Sequence, residues 1–299
     1  MNDNVYELST EKVNEKTVEI DTADTGEILR MMNEEDQKVA TAVKAVIPEV
    51  EKAVDAVVKS IDAGGRLIYM GAGTSGRLGV LDAVECPPTF SVDSEVVVGL
   101  MAGGEKAFVK AVEGAEDDEG LGAADLKGIS LTDKDTVVGI AASGRTPYVI
   151  GGLRFAKEAG AATVALSCNR GAKISDEAEI AIEVDAGPEA LTGSTRLKAG
   201  TAQKMILNMI STASMIKLGK AYGNLMVDVN VSNYKLEQRA IGIICSVTGA
   251  DKETAAATLK EAQHEVKASI VMITLGCGYG EAKSRLEDAN GYVRLAIEK

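Results

Sequence analysis

The chain has no tryptophan, three phenylalanines, seven tyrosines and one histidine in 299 residues. With so few aromatics the core must be built from Val, Ile, Leu, Ala and Met. The lone His264 leaves no room for a multi-histidine metal site and argues against a Ser-His-Asp triad. It lies in a polar stretch that reads as helical, and is expected to be a surface or packing residue. Four cysteines, Cys86, Cys168, Cys245 and Cys277, are far apart and form no C-x-x-C pair. They read as small buried hydrophobes in a reducing cytosol. No uninterrupted apolar run approaches the about 18 residues of a membrane span. The opening MNDNVYELSTEK shows no basic-then-apolar signal segment, so a cytoplasmic location is expected. Basic residues are also short, 32 against 45 acidic, for a net charge of −13. That argues against nucleic acid or an anionic membrane as partner. It also means that an anionic ligand must be held by local donors, against the field of the whole chain.

Hydrophobic residues make up 45% of the sequence, enough for a globular chain of one large or two ordinary domains. The chain is organised around residues 66–90, RLIYMGAGTSGRLGVLDAVECPPTF. An apolar run, Leu67 to Met70, reads as a buried strand. Gly71, Gly73 and Gly76 follow, with Thr74 and Ser75 as N-cap residue types at the start of a helix. A helix N-terminus offers unpaired N–H groups to an anion such as a phosphate. Glu85, Cys86, Pro87 and Pro88 are expected to end that helix, because the residue before a proline is pushed out of the helical region.

Residues 27–62 read as two helices, the second with Val39 to Ile61 at helical spacing. Apolar strands are expected at 66–71, 95–101, 136–141, 162–167 and 180–185, with helices at 75–84, 104–114, 147–159 and 172–178. Such alternation implies a parallel sheet covered on both faces, with ligands beyond the carboxyl ends of the strands. Residues 187–220 begin as a polar loop and continue as a helix, with Met205, Ile206, Met209, Ile210, Ala213 and Ile216 along one core-facing side. The domain reading is an N-terminal helical segment at 1–62 packed on the core, a central domain at 63–235 and a helical subdomain at 236–299, with an N-cap at Asp251 and a glycine turn at 276–280.

Gly71, Gly73 and Gly76 satisfy G-x-G-x-x-G, the fingerprint of a dinucleotide site. Asp93 and Glu95 both precede the next strand, whereas a Rossmann acid follows it, and the double proline cuts the helix short. The phosphate of a smaller ligand fits the hydroxyls of Thr74 and Ser75 better, and a purely structural turn remains open. A second loop, Ala142-Ser143-Gly144-Arg145-Thr146-Pro147, repeats the logic, with proline in the first helical turn. Among the carboxylates, Glu113, Glu116, Asp117, Asp118 and Glu119 read mostly as a solvated helix end. Glu85 stands beside the double proline, near the first loop. Two carboxylates in different environments can divide acid and base work.

GAGTSGRLGVLDAVECPPTF, AVEGAEDD at 111–118, VGIAASGRTPYV at 138–149 and GPEALTGSTRLKAGTAQK at 187–204 closely resemble the N-acetylmuramic acid 6-phosphate etherases. STEKVNEKTVEID and NLMVDV are similar as well, so the resemblance covers nearly the whole chain. It implies an α/β sugar isomerase (SIS) fold, three-layered, with a five-stranded parallel sheet flanked by helices plus the C-terminal helical subdomain. It implies a lyase of cell-wall (peptidoglycan) sugar recycling that eliminates D-lactate from C3 of the sugar phosphate and adds water back, with no metal or other cofactor. By motif, Glu85 matches the proton donor and Glu116 the second catalytic carboxylate. Gly73, Thr74, Ser75, Ser143, Gly144 and Thr146 match the phosphate site. Glu189, Ser194, Arg196 and Lys198 are expected either to line the sugar pocket or to position the long helix and the subunit interface. Family members are dimers, so a homodimer is expected. The alternatives are a sugar-phosphate-binding regulatory module, like the glucokinase regulatory protein that shares the 187–204 signature, and an aldose–ketose isomerase of the same fold. The latter lacks the ECPPT match.

Overall fold

The computed structural model describes residues 7–110, 112–229, 231 and 233–298. The chain divides into two compact units, Met1–Val84 with Glu95–Ser211, and Glu85–Ser94 with Thr212–Lys299. The second unit thus takes in residues 85–94 and 212–235, which the sequence reading grouped with the central domain.

In the first unit, α1 (Thr25–Ala45) starts at Asp24, whose side chain accepts the Glu27 N–H, and buries Glu35, Val39 and Val43 along one side. Helix α2 (Ile47–Asp62) has a proline in its first turn and buries Val50, Ala53, Val54 and Val57, a helical stripe turned towards the sheet. The sheet follows the expected alternation closely: β1 Leu67–Gly71, β2 Val97–Met101, β3 Thr136–Ala141, β4 Ala162–Ser167 and β5 Ile180–Glu183. All neighbours run parallel, in the order β2-β1-β3-β4-β5. Strands β1 and β3 are buried at every residue, as continuous apolar strands covered on both faces must be. From β1 the chain goes out to one edge for β2 and returns on the other side for β3. The carboxyl ends of β1 and β3 therefore flank the switch point of the sheet, where open α/β sheets leave a crevice.

Several helices depart from the expected bounds. Helix α3 runs Gly73–Phe90, through Pro87 and Pro88 rather than stopping before them. Proline's fixed φ is itself helical, so the cost is confined to the missing N–H groups and the ring's crowding of the preceding turn. Cys86 and Phe90, one turn apart, are both buried and hold the end of the helix, and Ser91 N–H closes it on the Pro87 carbonyl at 3.0 Å. The helix also begins earlier than expected. Thr74 and Ser75 lie within its first turn instead of capping it, and Gly76 N–H bonds the carbonyl of Ala72.

The helix expected at 104–114 is the short α4 (Glu105–Val109); Ala111 lies outside the described residues. Phe108, Val109 and Val112 are all exposed, so the stretch has no buried stripe to hold a longer helix. Helix α5 (Glu119–Gly128) was not expected, since its three glycines lower helix propensity. Tertiary packing overrides that preference: a Cβ on Gly122 would lie 2.1 Å from the Tyr148 carbonyl oxygen on α6 (Pro147–Glu158). Its N-terminus is capped by Asp118, which accepts from Gly120 and Leu121 N–H. The acidic cluster is thus a helix start, not a helix end. The stretch expected as helix at 172–178 is a 3-10 turn, Lys173–Glu177.

Helix α7 (Lys198–Lys217) is the long helix of the 187–220 stretch. Its buried side is Ala199, Ala202, Gln203, Ile206, Leu207, Ile210, Ser211, Ser214 and Met215, whereas Ile216 is exposed and Met205 and Met209 are half-buried. Ile206 and Ile210 of the expected stripe are thus buried, but the inward face continues through Ala202, Gln203, Leu207, Ser211 and Ser214 rather than through Met205 and Met209. Asp82 of α3 accepts there from Tyr69 (2.9 Å), Asn208 (2.6 Å) and Ser211 (3.2 Å), joining β1, α3 and α7.

The second unit has a two-stranded hairpin, β6 (Ala221–Tyr222) with β7 (Leu225–Met226), followed by α8 (Tyr234–Thr248), α9 (Lys252–Glu261), α10 (Val266–Leu275), α11 (Tyr279–Asp288) and α12 (Val293–Glu298). Its own core includes Ile244, Leu259, Val266, Ile270, Val271, Leu286 and Val293. Asp251 caps α9 through Thr254 N–H, as expected, and Gly276 ends α10 in the left-handed region. His264 is exposed, in the turn between α9 and α10 rather than within a helix. No helix among the described residues is long and apolar enough to cross a membrane.

Candidate active site

The corner between β1 and α3 is set by backbone contact. A Cβ on Gly76 would lie 2.5 Å from the Gly71 carbonyl oxygen, so only glycine lets the first turn of α3 rest on the end of β1. Between them, Thr74 is half-buried and Ser75 is 7% exposed. The Ser75 hydroxyl donates to Gln203 Oε1 of α7 at 3.0 Å. At the end of β3, Thr146 precedes Pro147 at the start of α6, with no side-chain capping bond of its own. Its carbonyl takes the N–H groups of Val149 and Ile150. Ser143 Oγ accepts from Arg145 N–H at 3.3 Å, and the Gly144 carbonyl accepts from Ile174 N–H. The two hydroxyl-bearing loops thus stand at the ends of neighbouring strands.

A cavity of about 200 Å³ opens at the first of these loops, lined among others by Gly73, Arg77, Met101, Glu113 and Glu116. Glu116 comes from a 3-10 turn, Ala115–Asp117, introduced by Gly114 at φ +77°. The structure therefore brings Gly73 and Glu116 to one cavity, while Thr74, Ser75, Ser143 and Thr146 are not among its lining residues. Glu116 is exposed. Arg77 was missed in the sequence, although it directly follows GAGTSG. Its guanidinium donates to the carbonyls of Phe108 (2.9 Å) and Ala107 (2.8 Å) and ties α4 to α3 beside the cavity. Glu85 is exposed on α3, in the first segment of the second unit.

The residues at 187–204 are bound up inside the fold. Glu189 is 1% exposed and accepts from the backbone N–H groups of Lys198 (2.8 Å) and Ala199 (2.9 Å), capping α7. Burial pushes its carboxyl above the ordinary range despite those bonds. Lys198, also 1% exposed, donates through Nζ to Glu35 at 2.7 Å and to the Ala186 carbonyl at 3.0 Å. Lys38 pairs with the other oxygen of Glu35. Burial alone would push Glu35 up, but hydrogen bonds from Lys198, Lys38 and Asn14 outweigh it and hold the carboxyl down at about 2. Ser194 is half-buried and Arg196 exposed.

Elsewhere several charged groups pair within the fold. Arg66 and Asp135 join β1 and β3 at 2.8 Å, and Arg154 bridges Glu119 and Glu177. In the second unit a cleft of about 370 Å³ contains Lys267 and Lys283, paired with Asp228 and Glu265 respectively. All four cysteines are free thiols, and burial raises that of Cys168.

Three family models match this chain: the glucokinase regulatory protein N-terminal SIS domain over residues 49–157, the SIS domain over 122–213, and the C-terminal lid domain of glucokinase regulatory protein over 223–271. An N-acetylmuramic acid 6-phosphate etherase of Geobacillus sp. (strain WCH70) is 60% identical over 97% of this chain and 99% of its own length. One from Bacillus subtilis (strain 168) is 58% identical over 99% and 97%. The chain belongs to the N-acetylmuramic acid 6-phosphate etherase family. Its fold is the SIS fold, and its C-terminal helical region is similar to the lid domain of glucokinase regulatory protein. Among solved structures, a phosphoheptose isomerase from Neisseria gonorrhoeae is similar at TM-score 0.48 and 16% identity, over 63% of this chain and 98% of its own.

Proposed function

We propose that the protein is a carbon–oxygen lyase that cleaves the D-lactyl ether of N-acetylmuramic acid 6-phosphate, yielding N-acetylglucosamine 6-phosphate and D-lactate in peptidoglycan sugar recycling. The observation that carries this reading within a member of the etherase family is the joint lining of one cavity by the loop residue Gly73 and the carboxylate Glu116. A phosphate at the carboxyl ends of β1 and β3 would meet the backbone of Gly73 and Gly144 and the hydroxyls of Thr74, Ser75, Ser143 and Thr146. Opening of the sugar ring exposes an aldehyde at C1, which acidifies the proton on C2. Glu116 takes that proton, and the electron pair forms the C2–C3 double bond as the C3–O bond to lactate breaks. Glu85 gives a proton to the departing lactate oxygen. Water then adds at C3 and a proton returns to C2, so the sum of the steps is hydrolysis of the ether. Each proton that leaves a carboxyl group is restored, so no group is consumed. Of the four candidates at 187–204, Ser194 and Arg196 have exposed surface for the sugar, whereas Glu189 and Lys198 serve it by positioning α7. The protein works as a cytoplasmic homodimer in this reading. The family resemblance and the exposed apolar side chains Phe108, Val109 and Val112 support the dimer, and light scattering of the eluted protein tests it.

Incubation with N-acetylmuramic acid 6-phosphate in deuterated water, with no added metal or nucleotide, is expected to release D-lactate and leave deuterium at C2. Glu85→Gln is expected to bind the sugar phosphate and release no lactate. Saturable binding without lactate from the wild-type protein would instead mark a regulatory binding module.

A further inference from the structure

One buried side chain near the phosphate loop is left half-satisfied. Gln203 on α7 is 1% exposed, and its Nε2 has no hydrogen-bond partner, whereas its Oε1 takes the proton of Ser75. In this arrangement the Ser75 hydroxyl spends its only donor on Gln203 and presents lone pairs to anything else. A phosphate dianion needs donors, so the pairing is the wrong way round for a ligand at the first turn of α3. A primary amide has nearly the same shape when turned over. Turning it places Nε2 where Oε1 stood, 3.0 Å from Ser75 Oγ. Gln203 then donates to Ser75, and the Ser75 proton is released towards the loop. The turned form gives the amide nitrogen a partner but leaves Oε1 at the position where Nε2 had none, so the two forms are matched until an anion accepts the Ser75 proton. Beside it, Gly73 at φ +53° has nothing within 4 Å of the place a Cβ would occupy, so a ligand oxygen has room to approach the start of the helix.

We propose that Gln203 is a positioning residue whose amide turns over on ligand binding and makes Ser75 a donor to the substrate phosphate. The inference rests on the reading of residues 71–76 as the phosphate site. In the free protein the chain of donors runs from Ser75 to Gln203. In the liganded protein it runs from Gln203 through Ser75 to a phosphate oxygen. No proton is gained or lost; only the direction of donation reverses.

The test uses N-acetylglucosamine 6-phosphate as probe, with calorimetry on the wild-type protein and on Gln203→Glu, Gln203→Met, Ser75→Ala and the Ser75→Ala/Gln203→Met pair. Glutamate keeps the size of the side chain but, ionised, can only accept, so it holds the Ser75 proton permanently. Gln203→Glu is expected to weaken binding by about tenfold or more, with KM rising and kcat changed less. Gln203→Met removes the acceptor as well as the donor and is expected to weaken binding less than Gln203→Glu. In the Ser75→Ala background it should have no further effect, because its action passes through that hydroxyl. The side-chain amide of Gln203 should also shift in the ¹⁵N–¹H spectrum on adding the probe. Wild-type binding by Gln203→Glu, additive losses in the double variant, or an unmoved Gln203 amide would each overturn the proposal. A wild-type protein that fails to bind the probe would overturn the phosphate-site reading itself. Should Gln203→Glu not fold, the methionine series and the amide resonance still decide the matter.

Discussion

Residues 71–76 and residues 187–204 carry two of the long motifs of the etherase family, and the fold uses them in opposite ways. At 71–76 the backbone is locked and open chemistry remains at the surface. Gly71 and Gly76 are in contact through the main chain, while Gly73 lines a cavity with Glu116. At 187–204 the charged chemistry is turned inward. Glu189 holds the start of α7, and Lys198 joins it to Glu35 of α1 with both partners out of water. A family motif that carries Glu, Arg and Lys therefore need not be a binding surface. A buried ion pair tolerates substitution poorly, since removing one member strands the other, and that alone is reason enough for a distinctive sequence.

The largest effect is expected where the inward motif is broken. Lys198→Met leaves Glu35 buried with Lys38 as its remaining cation. Loss of one partner of a buried pair costs about 3–5 kcal/mol, which would appear as a lowered urea midpoint with an unchanged slope. A loss below about 1 kcal/mol would show that the pair is dispensable and return Lys198 to the list of ligand-binding residues.

Acid probes the same cluster without a substitution at Lys198. Glu35 is held at about 2 in the folded protein, below the ordinary glutamate value. The unfolded chain binds that proton more readily, so the contribution is complete above roughly pH 5 and drains as the pH falls towards about 2. Its size is on the order of 2–3 kcal/mol. Glu189 is shifted the other way by burial, so its contribution grows as the pH falls and offsets part of the loss. Thermal unfolding of the wild type and of Glu35→Gln between neutral and acid pH is expected to show the gap between them narrowing on acidification. A gap that stays constant would mean that the Glu35 carboxyl is not held down.

The outward motif breaks through its backbone. Gly76→Ala would put a methyl group 2.5 Å from the Gly71 carbonyl oxygen. The first turn of α3 must then lift off β1, at about 1–3 kcal/mol for an overpacked contact. Sugar-phosphate affinity should fall with it, because the helix start moves relative to the second loop. Stability lost with affinity intact would separate this corner from the phosphate.

Much of this was legible in the sequence, and the rest was hidden for identifiable reasons. The five strands of the sheet read out directly because each is an apolar run bounded by turn residues. The two loops read out because hydroxyls and glycines cluster at strand ends. The register of α7 read out only in part, because its buried face mixes Ile206, Leu207 and Ile210 with Ala, Ser and Gln, which hydropathy ranks below the half-buried methionines beside them. Helix α5 was hidden by its glycines, of which Gly122 gives close contact with α6, a tertiary gain with no local signal. Pro87 and Pro88 read as a stop in the sequence because the burial of Cys86 and Phe90 cannot be seen in one dimension. For the site, the motif named Glu116, but only the fold sets it beside Gly73 and Arg77. The commitment of Glu189 and Lys198 to internal partners was one of two readings that sequence left open.

The smallest effect on stability is expected at Glu116, and it is the sharpest test of the contrast. Glu116 is exposed in a short 3-10 turn, so Glu116→Gln should leave the unfolding midpoint within about 0.5 kcal/mol of wild type. If Glu116 takes the C2 proton, the same change removes the base while keeping shape and hydrogen-bonding capacity. Lactate release should then collapse, and so should exchange of the C2 proton of N-acetylglucosamine 6-phosphate with deuterated water. Lys198→Met should do the reverse: a large loss of stability, with activity per folded molecule largely kept. Loss of C2 exchange with stability preserved puts Glu116 in the chemistry; C2 exchange that persists while lactate release fails would move Glu116 from the base to the leaving-group side of the reaction.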